Sequence, residues 1–365
     1  MSRFNLIPLL IFAAFVSSHS TQAATYYVGN CKSGSFSTIS AAISAAPAGS
    51  TIEVCPGTYA EQVEITKALT LKGISSSNSG QAIIAVPGSG LTSTTSIFFG
   101  PTVAPQLWVS AGPVEISNIT VDGTGGGCYG GWLVGIFYQT GSSGTLNEVT
   151  DRNQTAGCGI GILAENGNDT NEPVTIENAS VHNTSDYGIV ALGSFAPTIK
   201  SNSIDATGDY GIFISTYGGA ATLNVVANSQ AYGILAEAAV VGESVSVSSN
   251  TVVNSPYGIT TTGDVSVKSN KIFQSSTDGI YVYSGGGETI ESNDITDAGV
   301  GIEFSCNTAT VTHNTINDVT TGLDQVPSGD SGSNTFYDTS EISVACSGGA
   351  ARSNRALDPP RFPPN

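Results

Sequence analysis

Apolar residues in this chain come in short alternations, each cut off by Gly, Asn, Asp or Ser before a helical period can establish itself. Such runs predict many short strands and few helices. Three stretches carry the same phrase: SNSIDATGDYGIFIS at 201–215, SNKIFQSSTDGIYVY at 269–283 and SNDITDAGVGIEFS at 292–305. Each opens on an Asn just ahead of an apolar residue and ends near a Gly-Ile pair. Aligned on that Asn, the chain yields Asn118, Asn147, Asn178, Asn202, Asn224, Asn250, Asn270, Asn293, Asn314 and Asn334. From Asn178 onward the spacing runs between 20 and 26 residues, and a Gly-aliphatic pair follows most of these Asn residues, from Gly188-Ile189 to Gly322-Leu323.

A period of about 22 residues fits a coil of three short strands and three turns, stacked on its neighbours at the inter-strand spacing. Leucine-rich repeats share the period but need Leu consensus positions that are absent here. The Asn is expected at a tight turn, satisfying backbone groups and bonding the Asn of the next coil in an internal amide ladder. The Gly is expected to permit a turn conformation closed to other residues, with the aliphatic residue after it entering the core. Roughly a dozen such coils would make a rod on the order of 60 Å long.

The ends read differently. MSRFNLIPLLIFAAFVSS followed by STQAA has the form of a secretory signal over residues 1–23, with cleavage after Ala23, and no later segment is apolar enough to span a bilayer. STISAAISAAP places Ile39, Ile43 and Ala46 on one stripe with Pro47 as a stop, which predicts a short helical cap ahead of the first strands. The solenoid domain is expected over 24–346, and 347–365, without an apolar pattern, reads as a disordered C-terminal tail.

Composition narrows the function. Secretion, or export to a periplasm, makes Cys31, Cys55, Cys128, Cys158, Cys306 and Cys346 a set of three disulfides. Pairing in sequence order closes loops of one or two repeats, although the sequence alone leaves the connectivity open. No CxxC spacing occurs and the chain has 3 His, so neither a metal nor any other cofactor is expected. The net charge of −18 excludes a nucleic-acid partner and weighs against polyanionic substrates such as pectate or alginate.

F-x-T-I-x-x-A-I-x-x-A-P followed by GTYAEQVEI resembles the opening of pectin methylesterases and their relatives. The SNxI…GI coils resemble the generic repeats of secreted carbohydrate-binding and sugar-hydrolase β-helices, and of the periplasmic accessory protein of nitrous oxide reductase. Over roughly 25–345 the chain thus resembles the pectin lyase-like superfamily, which implies an all-β, right-handed parallel β-helix. One such fold hosts lyases, hydrolases, esterases, epimerases and non-enzymes. The Asp-Phe-Ile-Phe-Gly and Gly-Arg-Pro-Trp motifs of methylesterases, the Asn-Thr-Asp, Asp-Asp, His-Gly and Arg-Ile-Lys motifs of polygalacturonases, and the Asp-Pro-His-Asp of mannuronan epimerases are all missing. No His or Met cluster matches the copper site of the accessory protein.

Strand alternation says which side chains leave the coil. With the aliphatic residue after each Gly inside, the next points out, giving the row Phe137, Leu163, Val190, Phe213, Leu235, Thr260, Tyr281, Glu303 and Asp324. A second row runs Gln139, Glu165, Leu192, Ser215, Glu237, Thr262, Tyr283 and Ser305. The first row is apolar for five coils and then polar, and an apolar stripe of that length calls for a covering loop or a protein partner. Tyr187, Tyr210, Tyr232 and Tyr257, each preceding the Gly, form an expected stacked structural row. Tyr281, Tyr283, Phe213 and Glu165 are the candidate sugar contacts, and Glu303, Asp324 and Glu237 the candidate acid–base carboxylates, neighbouring coils placing carboxylates at about the spacing of retaining glycosidases. The reading is a secreted β-helix that recognises extracellular or cell-wall polysaccharide. The alternatives are a lyase or glycoside hydrolase of this fold, and a structural or adhesive envelope protein meeting a partner through the stripe at Phe213.

Overall fold

The computed structural model describes residues 23–74, 80–167, 172–284, 287–306, 309–326 and 331–346; the expected signal segment (but for its last residue, Ala23) and the tail lie outside them. Within that range the chain winds into a parallel β-solenoid. The strands Val174–Glu177, Ser180–Thr184 and Tyr187–Gly193 make up one coil, and their counterparts stack into three faces, called 1, 2 and 3 in that order. Face 1 is a sheet of 13 strands, so the solenoid has about 13 turns. Faces 2 and 3 merge into a 21-stranded sheet, because late strands such as Lys271–Ser284 run through the corner between them without a break.

Each face sends one continuous aliphatic file inward. On face 1 it is Ile176, Ile199, Ala221, Val247, Val267, Ile290 and Val311, in register. Face 2 supplies Val181, Ile204, Val226, Val252, Ile272, Ile295 and Ile316. Face 3 supplies Ile189, Ile212, Ile234, Ile259, Ile280, Ile302 and Leu323, the residues after the glycines. All are buried in one core cluster. β-branched side chains suit this pleated interior, and each buried Val or Ile contributes about 1.5–3 kcal/mol.

The two recurring turns divide the labour differently from the sequence reading. The corner between faces 1 and 2 takes a left-handed residue, Asn178, Ser201, Leu223, Ser249, Ser269, Ser292 or His313, and the corner between faces 2 and 3 takes Asn183, Ala206, Asn228, Asn254, Gln274, Asp297 or Asp318. The repeat glycines are not among the positive-φ residues. They are glycines for want of room: a Cβ on Gly233 would meet the side chain of Val252 and stand 2.6 Å from the carbonyl oxygen of Gly258, and Gly211 and Gly258 are crowded alike.

The amide ladder is real but shorter than predicted. The Nδ2 of Asn202 donates to Oδ1 of Asn224 at 2.9 Å, and the pattern continues through Asn250, Asn270, Asn293 and Asn314 to Asn334. Asn118 and Asn178 instead occupy the left-handed position one residue earlier, and Asn147 lies one residue before the left-handed Glu148. The ladder slot itself is filled there by Ile119, Val149 and Ala179. Asn178 is consequently exposed, where a ladder residue would be buried.

A seven-residue helix, Ile39–Ala45, lies between the first two strands of face 1, with Ile39, Ala42 and Ile43 buried. Thr38 caps it through its hydroxyl, and Glu61 accepts the N–H groups of Ile39 and Ser40 at 2.7 and 3.0 Å. The disulfides pair in sequence order, Cys31–Cys55, Cys128–Cys158 and Cys306–Cys346. Face 2 carries an acid inside the solenoid. Asp151, fully buried on face 2, occupies space left by Gly135 and reaches only the amide of Gln154, at 3.4 Å. Burial pushes its carboxyl well above the ordinary value, with Asp122 adding to the shift and Gln154 opposing it.

Candidate functional site

The outer surface of face 3 carries the predicted row in strict register: Phe137, Leu163, Val190, Phe213, Leu235, Thr260, Tyr281, Glu303 and Asp324 are successive partners. A segment of the chain covers the early part of this stripe. Residues 94–100 double back as the one antiparallel pairing among the described strands, and Phe99 packs its ring 5.3 Å from Trp132 and 5.7 Å from Tyr187. Glu165 anchors that segment. Its Oε2 accepts the Ser96 hydroxyl at 2.6 Å and its Oε1 accepts the N–H of Ile97 at 3.3 Å. Burial raises the Glu165 carboxyl, against the pull of these bonds. At 2% exposure Glu165 is a clasp for the chain's own loop, not the open sugar contact expected from sequence. Phe213 is likewise enclosed, 7% exposed and 5.6 Å from the Tyr210 ring.

The tyrosine row forms as predicted. Tyr187, Tyr210, Tyr232 and Tyr257 stack at 5.2, 4.8 and 4.9 Å with nearly parallel rings. The next position in register is Asp278, so the parallel stack ends at Tyr257, whose ring then meets the tilted ring of Tyr281 at 5.9 Å. Where it ends, face 3 opens into a cleft of about 380 Å³, whose lining includes Tyr257, Asp278, Tyr281, Glu303, Asp324 and Gln325. That volume lies in the range of small-ligand sites.

The groups in the cleft are held in place. Gln325 donates from Nε2 to Oε1 of Glu303 at 3.0 Å, and its own N–H is accepted by Oδ1 of Asp324 at 2.9 Å. The hydroxyls of Tyr281 and Ser305 share a hydrogen bond of 3.0 Å. Burial raises the Tyr281 phenol, with the charges of Glu303 and Asp278 adding to the effect against Ser305. Tyr281 is 6% exposed and so lines the cleft without presenting an open ring face. Tyr283 stands edge-on to it at 6.1 Å, outside the lining. Glu237 also lies outside the lining, paired in register with Ser215 and Thr262 and raised by burial against a Ser215 hydrogen bond.

Glu303 and Asp324, then, are brought together with Tyr281, while Glu237, Tyr283, Phe213 and Glu165 fall elsewhere. Asp278 and Gln325 escaped the sequence reading. The signal for Asp278 was there, in the acid that breaks a run of four tyrosines before the repeat glycine. A second cavity of about 350 Å³ adjoins at Ser276, lined by Asn228, Asn254, Gln274 and hydroxyl groups along the corner between faces 2 and 3. The described lysines and arginine stand elsewhere: Lys72, Lys200 and Lys268 on face 1, Arg152 and Lys271 on face 2, Lys67 against the end of the short helix and Lys32 over the Tyr27 ring.

The family described as a right handed beta helix region matches residues 106–270. The chain has the fold of a right-handed parallel β-helix. The family described as periplasmic copper-binding protein (NosD) matches 209–350. Among the described residues no group of three or more His, Cys, Asp or Glu is placed to hold a metal ion. Similar solved structures include the A-module of Azotobacter vinelandii mannuronan C-5 epimerase AlgE6, with 16% identity over 84% of this chain and 90% of that one at a TM-score of 0.50. Pectate lyase Pel9A is similar at 14% identity over 87% of this β-helix and 78% of the lyase, with a TM-score of 0.51. The catalytic domain of a GH87 α-1,3-glucanase in complex with nigerose is similar at 14% identity, a TM-score of 0.55, and coverage of 88% and 66%. At such identities these likenesses establish the β-helix and nothing finer. No curated protein matches the chain by sequence.

Proposed function

We propose that this β-helix is an exported protein, secreted or periplasmic, that binds extracellular or cell-wall polysaccharide along the polar end of face 3. The observation that carries the reading is the cleft at Tyr257, Tyr281, Glu303 and Asp324, contiguous with the amide-lined cavity at Asn228 and Asn254. Fixed acceptors and amides in a row suit the hydroxyl groups of successive sugars. Polysaccharide-acting enzymes share the fold, which lends the substrate class support without naming it. Three disulfides fit an oxidising compartment, and no helix among the described residues is long and apolar enough to cross a membrane. The short helix Ile39–Ala45 serves in this reading as the cap of the N-terminal end, where an open strand edge would invite aggregation.

The test is binding of the mature protein to a panel of neutral, basic and acidic polysaccharides, followed in the same samples for reducing ends and unsaturated uronate. Retention on at least one polymer, lost in Asp324→Asn and kept in the face 1 variant Glu53→Gln, supports the site. Absence of binding to every polymer overturns it.

A further inference from the structure

The two ends of the solenoid are finished differently. At the start the helix Ile39–Ala45 packs beside the first strands, with Ile39, Ala42 and Ile43 buried. At the other end the strand Thr335–Ala345 pairs in parallel with Thr315–Val326 and, among the described strands, has no neighbour on its outer side. An edge of 11 residues left in this way is a template for one more strand. Tyr337 and Ile342 are each 58% exposed there, and Asp338 and Glu341 are exposed beside them. The aliphatic files of the core also stop at this layer, Val319 and Leu323 being followed in register by Thr339 and Ser343. A polar last layer asks for no apolar face on whatever covers it.

We infer that the chain supplies its own cover: residues 350–357, AARSNRAL, turn back at Ser347-Gly348-Gly349 and pair antiparallel with the open edge of Thr335–Ala345. The disulfide from Cys346 to Cys306 fixes the start of this segment at the end of that strand, so the closure is intramolecular. A Gly-Gly pair between two extended runs is a hairpin signal. Charge favours the same occupant. Residues 347–365 hold Arg352, Arg355 and Arg361 against one acid, Asp358, in a chain of net charge −18. A tight return brings Arg352 and Arg355 alongside Glu341 and Asp338, and opposite charges across a strand pair stabilise it. A second copy docked edge to edge would instead set those acids against their own counterparts, which disfavours pairing. Past Leu357, Pro359, Pro360, Pro363 and Pro364 have no N–H to extend the ladder, so the new edge is blunted and not passed on. The disorder expected of 347–365 is thereby restricted to the residues after Leu357.

Limited trypsin cleavage of the full native chain compares the three arginines within one molecule, each rate taken relative to the urea-unfolded chain. Cleavage after Arg352 and Arg355 is expected to be roughly tenfold or more slower than after Arg361, which lies in the proline stretch beyond the pairing. Amide exchange at 339–345 is expected to quicken about tenfold in Arg352→Glu/Arg355→Glu and to recover in part when Glu341→Arg is added. Because the whole protein is acidic, Arg361→Glu is the control for general attraction and is expected to leave that exchange unchanged. Unaltered exchange in the coils around Asn250 shows for each variant that the solenoid is folded. Equal relative cleavage at the three arginines overturns the inference, as does exchange at 339–345 that the double variant leaves alone or that Arg361→Glu quickens as much. Protection at 339–345 that grows with protein concentration, with all three arginines cut freely, overturns it too and gives the edge to a second copy.

Discussion

Replacing Asn250 by Ala tests the internal ladder at its centre. The Oδ1 of Asn250 accepts the backbone N–H of Asn224 at 2.9 Å and its Nδ2 at 3.0 Å. Its Nδ2 donates to the Ala221 carbonyl at 2.9 Å and to Oδ1 of Asn270 at 3.0 Å. Truncation removes all four bonds and leaves an N–H, an amide hydrogen and a carbonyl without partners, in a coil interior where Asn224 and Asn250 are at most 1% exposed. At about 1–3 kcal/mol for each of these three buried orphans, the expected loss is about 3–9 kcal/mol. Asn178→Gly is the matched comparison. It keeps the left-handed turn and removes one exposed bond, to Asn147, so its expected cost is within about 0.5 kcal/mol. Urea unfolding gives the two differences, and amide exchange locates the weakening to the coils around 221–270 in the Asn250 variant. Similar costs for the two variants, or a loss under about 1 kcal/mol for Asn250→Ala, would refute the claim that buried satisfaction and not the letter Asn is what the ladder supplies.

Gly233→Ala should cost about 1–3 kcal/mol in thermal or urea unfolding through the contact with the Gly258 carbonyl, and Gly→Ala at the open Gly127 should not. Asp151 sets a pH dependence whose sign follows from a folded pKa above the unfolded one. Its contribution is fully present below the ordinary value of 3.8 and is lost as pH rises through the raised folded value, so Asp151→Asn should flatten the decline of stability with pH over that window. Asp122 runs the other way. Burial pushes it up, but bonds from Thr124, Asn153 and Arg152 prevail and bring it to about 2, so its contribution is present above 3.8 and disappears as pH falls towards 2; Asp122→Asn should be less acid-sensitive than the parent. Ser96→Ala removes the shortest tie to Glu165 and should make residues 94–100 an earlier site of limited proteolysis, with the solenoid unfolding at nearly the same denaturant concentration.

Much of the fold was legible because a solenoid is close to a local code. The period near 22 residues, the inward aliphatic after each glycine and the nine-member outer row all follow from alternation within a coil plus one fixed offset to the next, and that row stays in register throughout, whereas the second predicted row slips after Thr262, which pairs with Ser284 and not with Tyr283. The tyrosine column was legible for the same reason. What the letters could not give was which of two adjacent corner positions an Asn would take. Asn178 and Asn202 read alike, yet one residue of shift puts the first in solvent and the second inside, and that shift depends on the coils packed above and below.

The candidate site divides along the same line. The sequence by itself determined that Tyr281, Glu303 and Asp324 share one outward row, because strand period and repeat length are properties of the local chain. Only the tertiary structure decided that Glu165 is the clasp of a loop from 69 residues earlier, that Gln325 fixes two acids at once, and that Asp278 completes the cleft where the ring stack stops. Those facts arise from contacts between segments far apart along the chain, and burial and charge environment belong to the stacked coils together.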